Sequence, residues 1–177
     1  MEVGPLGDRD LLLTSAEVAV TFAGFASLVA MFGARASRDG LHIDANRLRT
    51  MVVCSLLVVA LALFPFIPFR YGLPEAAVWR VASGALLLAT VWLTLRILRD
   101  YSAVSVAGIQ LGLAIRVLNS CLVFGPMALA LFNLFGGSEA SAPGNYLVGL
   151  LSLLALAGVQ FARLIDSLVL APAATPE

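Results

Sequence analysis

The chain has 177 residues, of which 60% are hydrophobic and 12% charged, with zero formal net charge and a mean hydropathy of +0.97. A soluble domain of this size is about half apolar, so the composition excludes a sizeable water-soluble domain. The balanced charge gives no global pull toward nucleic acid, and no nucleic-acid partner is expected.

Residues 1–10, MEVGPLGDRD, lack the basic n-region of a secretory signal, and the apolar run behind them is too long for an h-region. They read as an outer N-terminal segment ahead of a retained first span. That span is Leu11 to Gly33, LLLTSAEVAVTFAGFASLVAMFG, long enough to meet the roughly 20 residues that a bilayer requires. Glu17 lies inside it, roughly 9 Å below its start at about 1.5 Å per residue. An acid at the centre of a span costs up to about 3 kcal/mol on insertion scales, and less at shallower depth. The carboxyl is therefore expected to be protonated, paired or in a wet cavity. Thr14, Glu17, Thr21 and Gly24 follow helical spacing and share one stripe. Ala16, Ala23, Ala26, Ser27 and Ala30 add small residues that favour close helix approach in lipid. The expectation is that span one packs inside the bundle, with Glu17 turned toward protein. Two readings of Glu17 stand side by side: a protonatable or cation-attracting group on a pathway, or a packing carboxyl bonded to a neighbouring helix.

The loop ARASRDGLHIDANRLR follows, with Arg38-Asp39-Gly40 as a turn signal and Asp44 as a cap for a helix running into the next span. The second span is about 50–69. Pro65 and Pro68 end it, and FPFIPF should leave the membrane as an irregular aromatic exit. The third span is about 78–98, with Trp79 and Trp92. Residues 101–115 either lie along the interface or lengthen the fourth span, which is about 116–135 with a kink expected at Gly125-Pro126. The fifth span is about 145–168, and 171–177 form a disordered tail. Residues 11–170 thus make one all-α, polytopic transmembrane helix bundle of about five spans.

Eight of the eleven basic residues, all arginine, fall on one side: Arg35, Arg38, Arg47, Arg49, Arg96, Arg99, Arg116 and Arg163. The positive-inside rule then places the N-terminus outside and the C-terminus in the cytoplasm, for a protein of the bacterial inner membrane. By depth, Arg80 is the most reachable partner for Glu17, since arginine can snorkel. Gln160, Arg163 and Asp166 lie three residues apart on the last turns of span five, as a snorkelling end or part of an inner vestibule. Asn119 is a polar group just inside span four that should bond to a neighbour.

The chain also repeats at an offset of about 67 residues, pairing Arg49 with Arg116, Cys54 with Cys121, Trp79 with Tyr146 and Arg96 with Arg163. A duplication would give helix hairpins repeated in parallel orientation. No motif of a known catalytic or metal site occurs, and His42 and the two cysteines have no ligand spacing. No cofactor, metal or catalytic residue is assigned, and no enzyme activity is expected.

The run TFAGFASLVAMFG, the DANRLR segment and the FPF exit resemble small uncharacterised bacterial multi-span membrane proteins over the first two spans. This resemblance implies no activity and no site. From the residues, the first expectation is an oligomeric channel- or transporter-like protein with Glu17 and Thr21 on the pathway. The alternative is an accessory or structural subunit that binds another membrane protein. The bilayer is a partner in either case.

Overall fold

The computed structural model describes residues 9–33, 41–105, 113–136, 138 and 140–169. Among them the protein is all-α: α1 (Arg9–Gly33), α2 (Leu41–Leu63), the short α3 (Phe66–Arg70), α4 (Glu75–Ser105), α5 (Leu113–Phe135) and α6 (Ala142–Val169). All but α3 contribute a stretch long and apolar enough to cross a membrane, that of α2 continuing through α3. The N-terminal residues 1–8, the Arg38-Asp39-Gly40 turn, 106–112 and the tail beyond 169 lie outside the described residues.

The helices alternate in direction. One end of the bundle gathers Pro65, Pro68, Pro74 and Pro143; the other gathers Arg47, Arg49, Arg96, Arg99 and Arg163. We call them the proline end and the arginine end. Helices α2 and α6 lie side by side at the centre. Helix α1 packs on both of them, α5 packs along α6, and α4 packs chiefly on α5, with smaller contacts to α6, α2 and α3. One apolar core runs through the bundle, including Leu12 and Ala19 of α1, Met51 and Val58 of α2, Leu86 and Leu93 of α4, and Leu150 and Leu153 of α6.

Close approach decides where the small residues go. Gly149 of α6 lies against Leu86 of α4, and an added Cβ would come within 2.6 Å of a Leu86 methyl. Gly158 of α6 lies beneath Phe22 of α1. There Phe22 meets Phe161 edge-on at 6.1 Å and Phe25 meets it at 6.2 Å. These rings fix α1 to α6.

The FPFIPF segment corrects the expectation of an irregular exit. It breaks α2 at Leu63 and re-forms as helix at Phe66–Arg70. Pro65 stands at the N-cap of α3 with φ −59°, where its missing N–H removes no bond within α3 itself. The turn beyond closes through Gly72, whose φ of +79° is open to glycine. The second span also begins earlier than expected, because helix runs unbroken from Leu41. Residues 101–105 lengthen α4 and 113–115 belong to α5. Helix α5 continues through Gly125-Pro126.

The 67-residue offset does not carry into like environments. Cys54 is buried and Cys121 exposed. Helices α5 and α6 pack along much of their length, whereas the corresponding α2 and α4 meet over a short stretch. Trp79 and Tyr146 touch each other, with ring centroids 5.8 Å apart.

Candidate functional site

The first candidate is the polar stripe of α1. The expectation that this face packs inside the bundle is overturned. Thr14, Glu17, Thr21 and Gly24 are all exposed on the outer surface of the chain. The opposite face, with Leu12, Ala16, Ala19 and Ala26, is buried. Both stripes carry small residues. The alanine face won because it lets the α1 backbone approach α2 and α6 with only the Ser15 hydroxyl to satisfy, which bonds back to Leu11 within the helix. The Thr21 hydroxyl donates to the Glu17 carbonyl at 3.0 Å, and Ser27 donates to Ala23 at 3.1 Å. These two hydroxyls are satisfied within their own helix, whereas the Glu17 carboxyl on the same face still requires a polar environment.

Arg80 is not brought to Glu17. Arg80 belongs to α4, which packs chiefly on α5, while α1 packs on α2 and α6. Both side chains are exposed. Matching depth does not make two residues neighbours when their helices occupy opposite flanks of a central pair.

The trio on α6 also separates. Gln160 is buried, Arg163 is half-buried and Asp166 is exposed. Steps of three residues fall about 60° short of a full turn at 3.6 residues per turn, so each successive side chain rotates further out of the bundle. The Arg163 carbonyl accepts from the Arg47 guanidinium at 3.3 Å, which ties α6 to α2 at the arginine end. Asn119 of α5 is buried.

The polar residues that the structure does bring together were not singled out from the sequence. They lie at the proline end between α4, α5 and α6. Asn133 is buried in α5, and its amide donates to Ser83 Oγ of α4 at 3.1 Å and to the Ala142 carbonyl of α6 at 3.1 Å. Its Oδ1 accepts from Asn145 of α6 at 2.8 Å. One side chain thus joins three helices.

A few residues away, Tyr146 donates to the Leu61 carbonyl at 2.6 Å. This bond has a cause in the sequence. The helical partner of the Leu61 carbonyl would be the N–H of residue 65, which is proline and has none. Tyr146 supplies the missing donor from another helix, and a buried carbonyl that would cost about 1–3 kcal/mol unpaired is satisfied. A proline four residues after a buried carbonyl, with a tyrosine elsewhere at matching depth, is the signal that could have found this contact.

Chemically, the cluster at the proline end is closed among three helices. Its described members donate and accept among themselves, which makes it a structural joint. Elsewhere in the interior, Ser15 bonds back to Leu11 at 2.8 Å, and Thr90 to Leu86 and Leu87 at 2.9 and 3.0 Å. The core between the two ends is mainly apolar, with Ser55 and Thr90 among its buried polar side chains. The Glu17 carboxyl lies outside this interior. No protein-family profile, curated protein or solved structure matches the chain. The described residues form an all-helical bundle with the properties of an integral membrane protein.

Proposed function

We propose that this integral membrane protein works as an oligomer, with the Thr14–Glu17–Thr21 stripes of neighbouring α1 helices meeting in a channel-like cation pathway. The supporting observation is the exposure of Glu17 on a spanning helix whose other face is sealed against the bundle. A carboxyl facing acyl chains is costly, and covering it with further copies of the same stripe removes that cost. Gathered around an axis, the carboxylates and threonine hydroxyls would offer oxygen ligands to a cation. In this reading the arginine end faces the cytoplasm, and the Glu17 stripe opens from the outer side.

Reconstitution into liposomes tests the reading. Wild-type protein is expected to carry cations above the level of empty liposomes, and Glu17→Gln to lower that flux several-fold while the protein still folds. Flux equal to empty liposomes would remove the channel reading. It would leave the same face as the contact surface of an accessory subunit, to be sought by co-purification with another membrane protein.

A further inference from the structure

The exposed line on α1 extends past the Thr14–Glu17–Thr21 stripe at both ends. Asp10 lies four residues before Thr14, and Gly24 and Leu28 follow Thr21 at steps of three and four. Steps of four and three thus alternate from Asp10 to Leu28, the spacing of a seven-residue repeat. A straight helix keeps such positions on one seam, with a drift of only about 20° per repeat. All six are exposed. The opposite seam obeys the same repeat: Leu12, Ala19 and Ala26, seven residues apart, are buried against the bundle. The bundle therefore fixes which side α1 turns outward from Asp10 to Leu28.

The outward seam is not uniform. From Asp10 to Thr21 every position on it carries a side-chain oxygen. Gly24 has no side chain, and a Cβ built there would meet nothing within 4 Å, so packing within the chain does not require the glycine. Leu28 then ends the polar run with an isobutyl group that is 49% exposed. It stands about 16 Å beyond Glu17 toward the arginine end, at about 1.5 Å per residue. Its neighbour Ser27 sits about 100° round the helix, off the seam, and donates its hydroxyl back to the Ala23 carbonyl.

Where the α1 seams of neighbouring copies surround a cation pathway, this pattern divides the pathway in two. The stretch from Asp10 to Thr21 offers oxygens to a cation in place of its water. Gly24 leaves width. At Leu28 the same axis is ringed by methyl groups, which do not coordinate a cation, and a narrow apolar ring sheds water and so blocks ions. We propose that Leu28 is the gate: the Leu28 side chains of neighbouring copies close the pathway at its arginine end, beyond the Glu17 site. The inference rests on the oligomeric cation pathway proposed above and names the residue that regulates it.

The test is potassium efflux from liposomes that hold equal amounts of full-length wild type or variant. Wild type is expected to release potassium slowly, above empty liposomes. Leu28→Asn should raise the efflux several-fold, because an amide keeps water in the ring. Leu28→Ala widens the ring without bringing a polar group into the membrane and should raise efflux less; it decides the matter should Leu28→Asn not fold. Adding Glu17→Gln to Leu28→Asn should lower the efflux again, since both residues act on one path. Leu88→Asn, the same exchange at a 73% exposed leucine of α4, should leave efflux at the wild-type level. Wild-type efflux that neither Leu28 variant raises would overturn the gate and leave the pathway standing. An equal rise in Leu88→Asn would also overturn it, as a general leak. No efflux from any of these proteins would remove the pathway itself, and the gate with it.

Discussion

Asn133 and Glu17 are both polar side chains inside spanning helices, and the bundle treats them in opposite ways. Asn133 is enclosed by three helices and satisfied on both its donor and acceptor atoms. Glu17 is left on the outer face of α1, opposite a wall of alanine. The difference follows from what each group can find within one chain. A neutral amide both donates and accepts, so a serine hydroxyl, a helix-end carbonyl and a second amide complete it. A carboxylate only accepts and carries charge, and the interior that α1 faces is apolar. A single copy can enclose the first and has no place for the second.

The largest effect is expected at the enclosed end. Asn133→Ala removes three hydrogen bonds and leaves Ser83, Asn145 and the Ala142 carbonyl to find other partners. It should cost about 2 kcal/mol, at the modest strength of interhelical hydrogen bonds in membranes, measured by unfolding in mixed detergent micelles. A loss no greater than that of an exposed-surface substitution would break the comparison.

Tyr146→Phe keeps the ring and deletes the donor to Leu61, and should cost about 1–2 kcal/mol. The sharper version is a double-mutant cycle with Pro65→Ala. Residue 65 then has an N–H of its own for the Leu61 carbonyl, so Tyr146→Phe should cost clearly less in that background. Identical costs in both backgrounds would show that the tyrosine does not stand in for the proline's missing donor.

Gly149→Ala should follow, at about 1 kcal/mol, because the new methyl must displace Leu86 in a filled core. Combining it with Leu86→Val should recover part of the loss in Tm. The smallest change in monomer stability is expected from Glu17→Gln, within about 0.5 kcal/mol, although the same substitution should alter assembly or flux. A large loss of monomer stability in Glu17→Gln would mean that the carboxyl has a partner within its own chain.

The architecture was legible in the sequence because lipid imposes length and hydropathy on every span. Five apolar runs and their order could be read from residues alone. The exit at Pro65 was legible as a break but not as a new helical turn, since the outcome depends on a tyrosine 81 positions later. The face of α1 was read the wrong way round. The polar stripe and the alanine stripe obey the same helical period, and periodicity does not say which of two faces meets protein. Arg80 and Glu17 failed as a pair for a related reason: depth follows from counting along a span, while lateral order depends on packing between spans.

Cysteine capture along α1 in native membranes tests the outward polar face most directly. In a background with Cys54 and Cys121 replaced by alanine, single cysteines are placed at Thr14, Thr21 and Ala19 and oxidised. Disulfide-linked dimers are predicted for Thr14→Cys and Thr21→Cys, and none for Ala19→Cys. Capture at Ala19 with none at Thr14 or Thr21 would contradict the account, because the alanine face would then be the one that meets another copy.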